Sequence, residues 1–385
     1  MDGREKEYGF SIDISNICKG IAIIWMMYHH LVPYTEFTSG PVVGGIYLPG
    51  ILGLTGKACV SIFLMLSGYG LYKSYGKYNN CIRFYFRRFQ KIYLTYWLIF
   101  DIFTTIGIWF FRTAFIYLTE TPFSRTKNLL YSLSGVQYFI NNAGYMGYNP
   151  AWWYIGLCVA LYALYPLFHR LLNKFPKVFI TITLLIYFLC WNIDCKFILI
   201  VTLLHYIPAF FSGMFLAYSC FFEKTGVYIE KQRGGGKNLK WLFIILICAN
   251  LGLILIKYIF RNQSTLGLKL DCIISFLIMG TVYIYYYEFE KNVCIKILKI
   301  LGQYSFEIYL IHLFVTNMYT TMYIYGINDA FWMVIATLCI SMIFAVMINK
   351  VSCIISKQKS LLNIVLLLAL GLGVLLSMYG GSLQG

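Results

Sequence analysis

The sequence predicts an all-α fold, a polytopic helical bundle integral to a membrane. Three observations carry that expectation. The 385 residues are 60% hydrophobic and only 12% charged, with a mean hydropathy of +0.70, well outside the composition of a soluble domain. Apolar runs of membrane-crossing length, about 17–25 residues, recur along the chain. The 31 Lys and Arg residues cluster in alternate loops. The chain's net charge of +16 therefore reads as membrane topology rather than as a nucleic-acid footprint.

The apolar runs fall near 12–33, 51–72, 91–111, 151–169, 178–193, 198–220, 240–259, 270–287, 301–323, 330–349 and 361–379, eleven expected spans. With the N-terminus in the cytoplasm, the inner side receives Arg4, Lys6 and Lys19, the cluster from Lys73 to Lys91, and Arg170, Lys174 and Lys177. The loop Glu223–Lys240, the stretch Lys291–Lys299 and the end at Lys350–Lys359 also fall there. The exceptions are Lys57, Arg112, Arg125, Lys127, Lys196, Lys257, Arg261 and Lys269. That bias sets the N-terminus inside.

The loops add constraints. Arg112–Pro150, rich in Asn, Gly, Ser and Tyr, is expected on the outer side, where it is long enough to cover a site. Arg233–Lys237 reads RGGGK without a following Ser or Thr, so a flexible linker is the better reading than a phosphate loop. The 12 cysteines are scattered singly; they read as packing residues, with Cys190 and Cys195 the one pair placed to bridge a short loop. No metal-ligating spacing appears. The first apolar run lacks a small-residue cleavage site after it, so no removable secretory signal is expected.

The first run is the most informative. Ile12–Pro33 carries Lys19, His29 and His30 in a helix otherwise apolar. An ionisable group at membrane depth costs about 2.5–3.5 kcal/mol on insertion scales and marks a functional site by default. Lys19 and His30 share nearly one helical face, with a rise of about 16 Å between them. His29 points to another face and is expected to pack or orient. Arg83, Arg87, Arg88 and Lys91 stand at helical neighbour spacings and make one basic face, suited to phosphate groups or to anionic lipid. Ser305 and His312 share a helical face with Glu307 in the same span, and a carboxylate there requires a partner; Lys19 and the basic face are the candidates. Asp101 and Asp271 line a polar cavity or cap helix ends.

In their order these segments resemble membrane acyltransferase family 3, bacterial O-acyltransferases that modify surface glycans. Lys19-Gly20 followed by His30 is similar to the family's Arg-x10-His motif, and Ser61–Leu71, SIFLMLSGYGL, to its FFxLSGF segment. RFYFRRFQKIYLTYW at Arg83–Trp97, WYIGLCVALYALYPLF at Trp153–Phe168 and LGQYSFEIYLIHLF at Leu301–Phe314 resemble three further family segments. The sequence departs from the pattern at Lys19, where the family has Arg, at Asn16, where it has Asp, and at Leu94, where it has Pro.

The resemblance implies ten core transmembrane helices in a domain over 1–358, with an appended helix and short tail over 359–385 and no fused SGNH domain. It implies an enzyme of the bacterial cytoplasmic membrane. Its donor would be a cytoplasmic acyl-coenzyme A, acetyl-coenzyme A being the expected one, with no permanently bound cofactor. Its acceptor would be a hydroxyl of a surface or lipid-linked glycan. His30 is the expected general base, since imidazole, with an ordinary pKa of about 6.5, accepts a proton near neutrality. Lys19 supports the oxyanion or a donor phosphate, and Arg83, Arg87, Arg88 and Lys91 hold the nucleotide end of the donor. Ser67, Trp153, Tyr162, Ser305, Glu307 and His312 are expected to line or orient the cavity. Direct attack is expected over a covalent relay through Ser61 or Ser67. The other class the sequence allows is a transporter of a lipid-linked sugar, using a helix broken at Leu66–Gly68; a scaffold indifferent to His30 and Lys19 is a third.

Overall fold

The computed structural model describes residues 9–32, 39–78, 80–107, 130–140, 149–189, 198–234, 239–289 and 292–357. They are almost entirely helical, with a single two-stranded antiparallel pairing of Val42–Val43 with Ile46–Tyr47. In chain order the α-helices of six residues or more among the described residues begin with α1 (Ile12–Leu31), α2 (Leu48–Thr55), α3 (Ala58–Tyr75), α4 (Cys81–Ile106), α5 (Trp153–Lys174), α6 (Pro176–Leu189) and α7 (Ile198–Tyr218). There follow α8 (Phe221–Gly234), α9 (Lys240–Ile259), α10 (Ser264–Glu288), α11 (Val293–Gln303), α12 (Ser305–Leu313), α13 (Thr321–Gly326) and α14 (Ala330–Lys357). The appended helix expected at 361–379, Cys190 and Cys195, and most of the Arg112–Pro150 loop lie outside the described residues.

Among the described residues, five helices are long and apolar enough to cross a membrane: Pro150–Lys174, Ile198–Tyr218, Lys240–Ile259, Thr265–Glu288 and Ala330–Ser356. The pair α2 and α3, bent by 50° at its break, makes a sixth if it is one span. Ten core spans are therefore an expectation the described helices do not reach. Polar residues account for part of the difference: Asn16, Lys19, His29 and His30 in α1, and the Arg83–Lys91 run in α4, lower the hydropathy of helices of sufficient length. The expected span 301–323 is cut into α11, α12, a π-helical segment Phe314–Tyr319 and α13. The expected cytoplasmic loop after Glu223 is instead mostly the helix α8.

The chain divides into two compact units: 1–79, 168–194 and 203–305 form the first, and 80–167, 195–202 and 306–385 the second. In the first, α1 is the hub, packed on α2, α3, α10 and α11. It starts sharply because the Ser11 side chain accepts from the Ile14 amide at 3.3 Å and Asp13 occupies the first turn. Gly20 lets α1 and α11 touch backbone to backbone: a Cβ there would strike the Leu298 carbonyl, and one at Gly302 would strike that of Asn16. In the second unit, α14 packs along α4 and against the π-helical segment. Asn80 caps α4 by accepting from the Arg83 amide at 2.8 Å.

Candidate active site

At the end of α1 that carries the histidines, α1 is tied to the short helix α2 by side chain to backbone bonds. The Trp25 indole donates to the Leu52 carbonyl at 3.0 Å, and His29 Nδ1 lies 2.8 Å from the Gly53 carbonyl. A carbonyl oxygen only accepts, so Nδ1 carries the ring proton and Nε2 of the neutral ring is a proton acceptor. His30, half-buried, stands edge-on to His29 with ring centroids 5.1 Å apart. His29, expected to pack or to orient, is held by the Gly53 carbonyl beside His30.

The break between α2 and α3 sits at Gly56-Lys57, with Gly56 packed on His29 and on the Trp25 carbonyl. This corrects the break expected at Leu66–Gly68. There α3 runs unbroken, and Gly68 serves close approach to the Phe210 carbonyl instead. Ser67 is half-buried within α3.

Behind the break lies an ion pair that sequence reasoning missed. Lys257 on α9 pairs with Asp271 on α10 and donates to the Thr55 carbonyl at 2.9 Å, the last residue of α2. The two side chains are 7% and 1% exposed. Isolated charges so placed would be prohibitively costly, and each makes the other tolerable. Lys57, solvent-exposed, stands within electrostatic range of Asp271, Lys257 and His29. The available signal was a cation near the end of one apolar run and an acid at the start of the next. Only a short connection at Phe260–Gln263 separates the two helices, so the two charges stand on consecutive helices.

The other end of this unit is also ionic, but exposed. Asp13 pairs with Lys299 at 2.7 Å and Lys73 with Glu223 at 2.6 Å. Lys19 lies a third of the way along α1, its Nζ 3.5 Å from Asn16 Oδ1. Lys19 and His30 are therefore on one helix, toward opposite ends, as their spacing requires.

The second unit holds most of the other candidates. Arg83, Arg87 and Lys91 are exposed on α4, and Arg88 is half-buried. Glu307, buried on α12, accepts from Asn349 Nδ2 at 2.8 Å and lies within electrostatic range of Lys91. Its hydrogen-bond partner is thus Asn349, which was not foreseen, and among the described residues neither Lys19 nor the α4 basic face forms an ion pair with it. His312 is fully buried, its Nδ1 donating to the Tyr309 carbonyl at 2.7 Å. Ser305 is buried at the start of α12, on the first unit's side of the division. Trp153 and Tyr162 are half-buried on α5. Trp152, not Trp153, is the deep one, its indole donating to the Leu310 carbonyl at 3.1 Å while the Tyr309 hydroxyl donates to Ala151 at 2.5 Å.

Comparison with known proteins bears on what such groups do. No match was found among curated proteins or among solved structures. Residues 12–350, nearly the whole chain, match the family described as Acyltransferase domain. A helical chain with several membrane-length apolar helices and that match across its length belongs to the Acyltransferase domain family, and is a membrane acyltransferase.

Proposed function

We propose that the protein transfers an acyl group, acetyl in the simplest case, from cytoplasmic acyl-coenzyme A to a hydroxyl of a cell-surface or lipid-linked glycan. His30 takes the hydroxyl proton as the oxygen attacks the thioester carbonyl. The tetrahedral oxyanion collapses, the carbon–sulfur bond breaks, and the coenzyme A thiolate leaves and is protonated. Lys19 offers positive charge to the oxyanion or to a donor phosphate. Arg83, Arg87, Arg88 and Lys91 hold the nucleotide phosphates, for which guanidinium forks are suited.

One observation supports this above others. The last turn of α1 presents two adjacent imidazoles, one fixed by a backbone carbonyl, beside a cationic break in the neighbouring helix. A membrane helix carries so polar a terminus where a proton is to be moved. The test supplies purified protein in lipid nanodiscs with labelled acetyl-coenzyme A and a glycan acceptor. Free thiol and labelled ester should appear together, and His30→Ala should stop both. A transporter of lipid-linked sugar, using the bend at Gly56-Lys57, would release no thiol.

A further inference from the structure

The last four carbonyls of a helix have no amide of their own helix to accept from. In α2 three of those four are taken by side chains of two other helices. The Trp25 indole on α1 donates to Leu52 at 3.0 Å, His29 Nδ1 on α1 to Gly53 at 2.8 Å, and Lys257 Nζ on α9 to Thr55 at 2.9 Å. All these residues, and Asp271, belong to the first unit. With eight residues α2 is too short to hold its shape alone, and it packs on α1 and α9. Its place is set from outside. That place matters to His29, because a Cβ at Gly53 would strike the Val32 carbonyl and one at Gly56 would strike His29 Cβ. Thr55 is fully buried, so without Lys257 its carbonyl has no water to turn to. A buried acceptor is rarely left alone; the turn would shift to satisfy it, and the Gly53 carbonyl would shift with it. Asp271 accepts from Lys257 and keeps the ammonium charged and aimed where water does not reach.

We propose that Lys257 is a positioning residue for acyl transfer: its ammonium pins the last turn of α2, and that turn holds His29 in its Nδ1-protonated form beside His30. Lys257 itself touches no substrate. Its effect on turnover rests on the reading of His30 as the base; its effect on the His29 ring does not. The tautomer follows from the bond, since the acceptor offered to one ring nitrogen decides where the proton sits. With the pin removed, Nδ1 loses its fixed acceptor and both neutral tautomers become populated.

The test removes the pin without stranding a charge, by Lys257→Met together with Asp271→Leu. Full-length protein labelled with heavy-nitrogen histidine, in phosphatidylcholine nanodiscs, is read by solid-state NMR, where the nitrogen shifts report each ring's tautomer. The chain has five histidines, and the signal lost in His29→Asn assigns His29. The unaltered protein should show His29 in one Nδ1-protonated form, and the double variant a mixture of both tautomers. Thiol release from acetyl-coenzyme A, with methyl β-D-glucoside as acceptor, should fall about fivefold in kcat, the worth of one hydrogen bond, with KM for the donor unchanged. Lys257→Arg, which keeps donors for both Asp271 and Thr55, should keep the single tautomer and the rate. If the double variant does not fold, Lys257→Met with Asp271→Asn replaces it with the same expectations. A single Nδ1-protonated His29 in the double variant, an unchanged kcat, or a loss in Lys257→Arg equal to that of the double variant would each overturn the proposal. Should the unaltered protein release no thiol, the acyl-transfer reading falls, and the tautomer alone decides whether Lys257 holds His29.

Discussion

His29 Nδ1 and the Gly53 carbonyl, 2.8 Å apart, join the last turn of α1 to the short helix α2. The bond does two things that one substitution can separate: it holds the ring, and it leaves Nε2 as an acceptor. Asn places an amide donor close to the Nδ1 position and has nothing at Nε2. If His29 orients its neighbour, His29→Asn should keep transfer within a few-fold of the unaltered protein, and His29→Ala should lose more, by about the worth of one hydrogen bond, roughly 1 kcal/mol. His30→Ala should fall by about 100- to 10,000-fold, the usual contribution of a positioned base. Thiol release from acetyl-coenzyme A reads all three. Loss in His29→Asn as deep as in His30→Ala would make His29 the base.

Lys257 and Asp271 are both out of water, so removing one partner should hurt far more than removing both. Asp271→Leu strands a buried ammonium and should destabilise by about 3–5 kcal/mol. The double variant Lys257→Met with Asp271→Leu should recover most of that loss. The exposed pair of Asp13 and Lys299, 33% and 37% exposed, should give about 0–1 kcal/mol on the same cycle. Thermal unfolding in detergent, monitored by size-exclusion recovery, compares the two cycles. A double variant as unstable as Asp271→Leu would show that packing rather than charge sets the result.

How much of this was legible follows from what a one-dimensional pattern records. The start of α1 was readable because an apolar period begins there, and the structure adds the Ser11 cap that fixes it. The division at Gly56-Lys57 was not, since an apolar stretch continues on both sides and nothing local tells a span from a bent pair. Lys257, near the end of the expected span 240–259, counts only as an exception to the charge bias in the sequence, although its side chain turns inward to Asp271. Glu307 was recognised as needing a partner, but Asn349 is 42 residues away and neutral, and charge arithmetic cannot find it. Trp153 opens the segment that resembles the family, and only packing shows that its neighbour Trp152 is the buried one.

The basic face on α4 should act in donor binding and leave the chemical step alone. Arg83, Arg87 and Lys91 are exposed, so their substitution should not disturb folding. Arg87→Glu should raise KM for acetyl-coenzyme A by about tenfold, one lost charge-assisted contact being worth about 1.5–3 kcal/mol at most. The turnover at saturating donor should change little. The KM of the unaltered protein should rise with salt, since exposed charges are screened within about 8 Å at physiological ionic strength. A fall in kcat with KM unchanged would move this face from donor binding to catalysis.

Lys19 and Asn16 stand where the resembling family has Arg and Asp, and here their side chains are 3.5 Å apart, at the limit of a hydrogen bond. A neutral amide holds an ammonium more weakly than a carboxylate does. Lys19→Arg with Asn16→Asp would replace this with a charged pair of fixed fork geometry. Asn16 is buried, and its carbonyl lies against Gly302, so Asn16→Asp alone introduces a carboxylate that Lys19 must neutralise. If Lys19 meets the donor or the oxyanion, Lys19→Met should lower transfer at least about tenfold while Lys19→Arg retains it. Asn16→Asp alone should lower it by drawing the ammonium onto the new carboxylate, and the double variant should restore it. If Lys19 only marks the membrane edge, all four proteins should show the same thiol release at equal expression, which the same assay reads directly.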